Sequence, residues 1–197
     1  MSAPARGRRL EPDARREEIL DHASRLFGER AYGAVSTTEL AETAGVARGL
    51  INHYFGTKRA LFLEAVQRLL EIPEDAVAEL PAGTRSERAG AAVDWFLDAV
   101  ERHRGLWLAV GSVGGDPDID AIIAEADEIA VERVLAALFP GEAHPEVLRS
   151  RLRSFFGMAR AASREWLRRG AADRAQTHAL LHAVLLTVAD LPRPTGE

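Results

Sequence analysis

Along most of this chain apolar residues recur three and four positions apart, the repeat of a helix that buries one face. Ile19, Leu20, Ala23, Leu26 and Phe27 mark such a face on a first helix from Pro12 or Asp13 to Arg30, which Ala31, Tyr32 and Gly33 end. Thr37 is placed to cap a short second helix reaching Ala44, with Glu39 in its first turn, where a carboxylate suits the helix N-terminus. Gly45 supplies a turn. A third short helix covers Arg48 to Phe55, and Gly56-Thr57 interrupts it before a fourth from Lys58 to Glu71 that turns Leu61, Phe62, Val66 and Leu69 inward.

Pro73 and the segment Leu80 to Gly83 are breakers, so a connection between two parts is expected near residues 72 to 84. Beyond it the same spacing continues. Ala89, Val93, Phe96, Leu97 and Val100 predict a helix from Arg85 to about His103, with a short separate piece around Leu106 to Val110 and a loop from Gly111 to Gly115. Ile119, Ile122, Ile123, Ala126, Ile129, Val134 and Leu138 predict an amphipathic helix from Pro117 to Leu138, stopped by Phe139-Pro140-Gly141. Val147, Leu148, Leu152, Phe155, Phe156, Ala159 and Trp166 predict another from Pro145 to Arg169 with Gly170 as its C-cap. A last helix runs from Asp173 to Leu191 before Pro192. No alternating strand pattern interrupts this series, so the chain reads as all-α, with about nine helices in two domains at 13–73 and 84–191.

Composition narrows the classes. The 197 residues are 47% hydrophobic, enough for a real core. There is no cysteine, which removes disulfides, thiolate metal sites and cysteine nucleophiles. No stretch approaches the roughly 18 apolar residues of a membrane span, and no apolar run follows Arg6, Arg8 and Arg9, so neither an anchor nor a secretory signal is expected and the cytoplasm is the expected compartment. The net charge of −5 is unevenly divided: residues 1 to 60 carry ten basic against eight acidic side chains, or +2, which leaves −7 for the rest. A mildly basic head on an acidic body permits a short nucleic-acid contact surface.

Residues 36 to 55 carry the chemistry. Two short helices around one glycine have the spacing of a helix-turn-helix. Leu40, Ala41, Val46 and Ile51 would pack between them, and Gly45 can adopt the left-handed conformation of a sharp turn. The opposite face of the second helix presents Arg48, Gly49, Leu50, Asn52, His53 and Tyr54. Arginine can bond guanine bidentately and asparagine adenine, while the others can reach phosphates or a thymine methyl. Ser36, Thr37, Thr38 and Lys58 suit phosphates, as do free amides at short helix starts.

With these residues, positions 13 to 73 resemble the DNA-binding domain of the TetR/AcrR family of bacterial repressors. The matching features are Ile19-Leu20, Ala23, Leu26-Phe27, Gly33, Thr37-Thr38, Leu40-Ala41, Ala44 to Val46, Ile51 to Phe55, Lys58 and Leu61-Phe62. Asn52 departs from the pattern, since many members carry an aromatic residue there. The resemblance implies a three-helix DNA-binding head on a helical body that dimerises and binds ligand. It implies a homodimer on a near-palindromic double-stranded operator, joined through the last two long helices, with half-sites at least about one helical turn, ~34 Å, apart. It also implies a cavity in each body whose small-molecule occupant releases the DNA, with the fourth helix as the link and a coupling of about 1 to 3 kcal/mol.

Trp95, His103, Trp107, Phe155, Met158 and Trp166 are the candidates to line that cavity, and their aromatic character points to a hydrophobic effector; at helical spacing each is also an ordinary core residue. Arg6, Arg8 and Arg9 have the composition of a minor-groove arm and equally of a solvated tail. His103 between Arg102 and Arg104 reads as a charged helix end. His178 and His182 share a helix face at a metal-ligating spacing but have no third ligand nearby, and read as an interface or surface pair. Asp116, Asp118 and Asp120 alternate as in a calcium loop, yet Pro117 and Ala121 break that pattern and make Asp116 an N-cap. Gly111, Gly114 and Gly115 follow no strand, so they do not form a phosphate cradle. An enzyme built on Glu125, Glu128 and His182 would lack the Glu-x-x-His repeats of a di-metal bundle, so neither catalysis nor a cofactor is expected. A dimeric adaptor that keeps the head without specific DNA binding is the remaining alternative.

Overall fold

The computed structural model describes residues 12–112, 115–141 and 145–191, and no strand occurs among them. The Arg6, Arg8 and Arg9 arm, Gly114 and Pro192 lie outside the described residues. The chain divides into two compact units, Met1–Ala65 and Val66–Glu197.

The first unit holds α1 (Pro12–Glu29), a 3-10 turn (Tyr32–Ala34), α2 (Thr37–Thr43), α3 (Arg48–Phe55) and the first part of α4 (Lys58–Leu70). Its core is the face read from the spacing: Ile19, Leu20, Ala23, Phe27, Leu40, Ile51, Leu61 and Phe62 are all buried. Phe27, Tyr32 and Phe62 form an aromatic cluster, with Phe27 edge-on to Phe62 at 5.0 Å and Tyr32 at 4.8 Å from Phe62. The cap of α2 is Ser36, one residue before the expected Thr37. Ser36 Oγ accepts from Glu39 N at 3.1 Å and the Glu39 carboxylate accepts from Ser36 N, so Ser-x-x-Glu closes both ends of a capping box and fixes the start of the helix. Gly45 has φ +63°, and the turn lets Val46 N donate to Ala41 O at 2.9 Å.

The second unit continues α4 and adds α5 (Asp75–Ala78), α6 (Arg85–Arg102), α7 (Arg104–Val110), α8 (Pro117–Leu138), α9 (Glu146–Arg169) and α10 (Arg174–Asp190). Nine of these α-helices across the two units follow the expected segments to within a residue or two. The one-turn α5 was not expected, because four residues beside Pro73 show no period. The helix starts are capped by side chains: Thr84 with Glu87, Asp116 with the amides of Asp118 and Ile119, and Asp173 with Gln176. Gly170 ends α9 in the left-handed conformation. The core runs through α6, α8, α9 and α10 by way of Val93, Leu97, Val131, Leu135, Leu152, Phe155, Leu181 and Leu185.

Candidate nucleic-acid interface and ligand cavity

In α3, positions four apart face inward and the rest are left over. Ile51 and Phe55 are buried, while Arg48, Gly49, Asn52 and His53 are exposed and Leu50 and Tyr54 half-buried. Four of the predicted contact residues of α3 are therefore exposed and the other two half-buried, and the rings of His53 and Tyr54 lie 5.2 Å apart. Ala47 caps the helix without any side-chain acceptor; the Leu50 amide donates to Ala47 O at 2.8 Å, which leaves the Arg48 and Gly49 amides for an outside acceptor such as phosphate. A Cβ built on Gly49 would meet nothing within 4 Å, and Gly49 does not hold a positive φ. Nothing in the head itself calls for glycine there.

Among the phosphate candidates, Thr38 is exposed and Thr37 half-buried at the start of α2, while the Ser36 oxygen is engaged in the cap. Lys58 is engaged within the head. Its ammonium donates to Tyr32 O at 2.9 Å and Val35 O at 2.8 Å and lies 4.1 Å above the Tyr32 ring, so it ties α4 to the chain entering α2. A point charge with several donors can satisfy two loop carbonyls at once, which the spacing of the sequence does not reveal.

The second unit holds a cavity of about 140 Å³ that is partly open to solvent. Its wall is almost wholly apolar, built from Leu69 and Leu70, from Phe96 of α6, from Ala130 of α8 and from Leu181 and Leu185 of α10. Of the six residues expected there, Trp95, Trp107 and Phe155 line it. The other three do not. His103 is exposed at the junction of α6 and α7, where its φ of −109° and ψ of 26° break the helix. Met158 packs on the main core from another face of α9 than Phe155 and Ala159, and Trp166 packs with Leu167 further along that helix. Trp107 is held by an edge contact to Phe96 at 5.7 Å and by its indole N–H, which donates to Ser163 Oγ at 3.1 Å.

Four charged residues reach the wall: Glu71, Asp127, Arg133 and Arg160. None was anticipated, since Asp127 and Arg160 meet only across two helices and no local spacing signals it. Arg160 and Asp127 form a two-pronged pair, Nη2 to Oδ2 at 2.8 Å and Nη1 to Oδ1, with both side chains largely buried. Such a fork satisfies the charges that burial would otherwise penalise. Arg133 donates from Nη2 to Glu74 at 3.1 Å, but its Nε is buried and has no hydrogen-bond partner among the described residues. A buried donor left so costs about 1 to 3 kcal/mol.

The outer faces of α9 and α10 are small and uncharged over several turns. On α9 Ser150, Ser154, Gly157 and Ala161 are exposed, and on α10 Ala175, Ala179, Leu180, Ala183 and Thr187. Leu180 is 50% exposed. His178 and His182 point instead to α6, where their Nε2 atoms lie 3.1 Å from Gly90 O and 2.9 Å from Ser86 O. Among the described residues no cluster of three metal-ligating side chains occurs, and no helix is long and apolar enough to cross a membrane.

A helix-turn-helix with an exposed polar face defines a DNA-binding head, and comparison with known proteins agrees. The model of the family described as bacterial regulatory proteins, tetR family, matches residues 19–65. The transcriptional regulator BetI of Rhizobium meliloti is 40% identical over 86 residues, 43% of this chain and 42% of that protein. The transcriptional activator FasR of Mycolicibacterium smegmatis is 35% identical over 133 residues, 66% of this chain and 61% of its own. The chain thus spans about half the length of the curated relatives it matches. The crystal structure of a tetR-family transcriptional regulator from Streptomyces coelicolor superimposes with a TM-score of 0.73 at 25% identity, covering 91% of this chain and 84% of that one. Residues 19–65 thus match the DNA-binding domain of the TetR family, and the fold of the chain is that of solved TetR-family transcriptional regulators.

Proposed function

We propose that this protein is a cytoplasmic, homodimeric transcriptional regulator that binds a near-palindromic operator and is released from it by a hydrophobic small molecule, acting as a repressor. The observation that carries the reading is the outward face of α3, where Arg48, Gly49, Asn52 and His53 stand exposed on a helix anchored by Ile51 and Phe55. Arg48 and Asn52 have the donors for base edges, and Thr37, Thr38 and the open α3 amides those for phosphate. The uncharged outer faces of α9 and α10 support a two-fold interface of four helices. The apolar cavity supports an effector, and α4 supports the coupling, since it begins in the first unit and ends at Leu69 and Leu70 in the cavity wall.

Fluorescence anisotropy with the DNA upstream of the coding sequence, at two salt concentrations and against a scrambled duplex, tests the reading. A regulator of its own region binds the upstream duplex as a dimer and ignores the scrambled one. Equal, weak binding to both that disappears with salt would leave only phosphate contacts and favour the adaptor alternative. Because FasR is named an activator, the sign is read from a promoter fusion: repression predicts higher expression when the gene is deleted.

A further inference from the structure

We infer that the cavity of the second unit takes an uncharged aromatic molecule of single-ring size. This rests on the reading of the chain as an effector-responsive regulator and names the class of effector. The size of the space sets the size of the guest. An apolar cavity of about 150 Å³ is what benzene occupies, and this one is of that order at about 140 Å³, so one ring fills it. The character of the wall sets the kind of ring. Trp95, Phe96, Trp107, Phe155 and Phe156 all line the space, and Phe96 and Trp107 meet edge to face at 5.7 Å. A guest ring extends that arrangement, which favours an aromatic over a saturated ring of the same size.

The polar groups of the wall exclude a charge on the guest. Arg160 and Asp127 satisfy each other with two bonds. Arg133 donates to Glu74, and its Nε is buried out of reach of any guest. Glu71 is exposed, so water screens its charge. A carboxylate or an ammonium entering the cavity would lose its hydration and find the buried counter-charges already paired, whereas an apolar ring has no hydration of that kind to lose. Preference for a neutral ring over the acid and the amine built on the same ring is therefore the signature of the site.

The test uses the full chain and isothermal titration at neutral pH with toluene, methylcyclohexane, benzoate and benzylammonium as probes. Toluene is expected to bind with a Kd below about 1 mM, about twofold to tenfold more tightly than methylcyclohexane and at least about tenfold more tightly than either ion. Ala130→Leu fills the cavity from α8 and Ala99→Leu fills it from α6; each variant that circular dichroism shows to be folded should lose toluene binding and so place the site. No binding of toluene at millimolar concentration, binding of methylcyclohexane or of either ion as tight as that of toluene, or undiminished toluene binding in a folded filled variant would overturn the inference. Operator binding measured in parallel separates the two claims. Specific DNA binding without toluene binding defeats only this inference, while toluene binding that the filled variants lose, without specific DNA binding, defeats only the regulator reading.

Discussion

Replacing Gly49 by alanine should push stability and DNA affinity in opposite directions. Glycine inside a helix is less favourable than alanine by about 0.5 to 1 kcal/mol because it loses more backbone freedom. Gly49 is the second residue of α3, so the lower end applies, about 0.5 kcal/mol. The space around an added Cβ is open to 4 Å and the backbone is not in the left-handed region, so no strain offsets the gain. For a chain of this size the expected rise in Tm is about 1 to 2 °C. The same methyl would stand on the face proposed to meet the major groove, beside the exposed Arg48. Displacing the helix there should lose about 1 to 3 kcal/mol of operator binding, or roughly tenfold to a hundredfold. Urea titration and operator anisotropy on the same preparation read both effects. A Gly49→Ala protein that is more stable and binds DNA as before would refute a close approach of α3 to DNA. One that is less stable would refute the open surroundings on which the argument stands.

Lys58→Met should destabilise the head by about 1 to 3 kcal/mol in urea unfolding, because the Tyr32 and Val35 carbonyls lose their shared donor; weaker DNA binding at unchanged stability would instead assign Lys58 to phosphate. The bond from the Thr84 backbone amide, followed by that from the Thr84 hydroxyl, holds the Glu87 carboxyl below its ordinary 4.5. Its capping box therefore stabilises α6 fully above pH 4.5 and fades as the pH falls through the lower folded value, so Glu87→Gln should flatten the acid limb of a thermal-stability profile in that range. Ala179→Glu places a charge on the outer face of α10 and should leave a folded chain while weakening a dimer about a hundredfold or more, seen as a concentration-dependent shift to monomer by light scattering; an unchanged dimer would place the interface elsewhere.

What could be read from the sequence follows the range of the interactions. Ile19, Leu20, Phe27, Ile51 and Phe55 declare their faces because a helix repeats every few residues, and the glycine turn at Gly45 is equally local. The outward set on α3 follows by subtraction from that core. The α2 cap was displaced by one residue because Ser36 and Thr37 are both good caps, and only the reach back from Glu39 decides between them. The cavity was half legible. Trp107 and Phe155 face it, but Met158 and Trp166 have the same composition and period on other faces, and composition does not distinguish core from cavity lining. The pair of Asp127 with Arg160 and the orphaned Arg133 Nε depend on how α8 and α9 pack, information that no short segment holds.

The most direct measurement of the central claim is operator binding by the double variant Arg48→Ala, Tyr54→Ala beside the parent protein, with light scattering and circular dichroism on both. The account predicts a folded dimer that has lost specific binding and retains only weak, salt-sensitive attachment common to any duplex. Undiminished specific binding by that variant would contradict it, because the exposed face of α3 would then not be the surface that reads DNA.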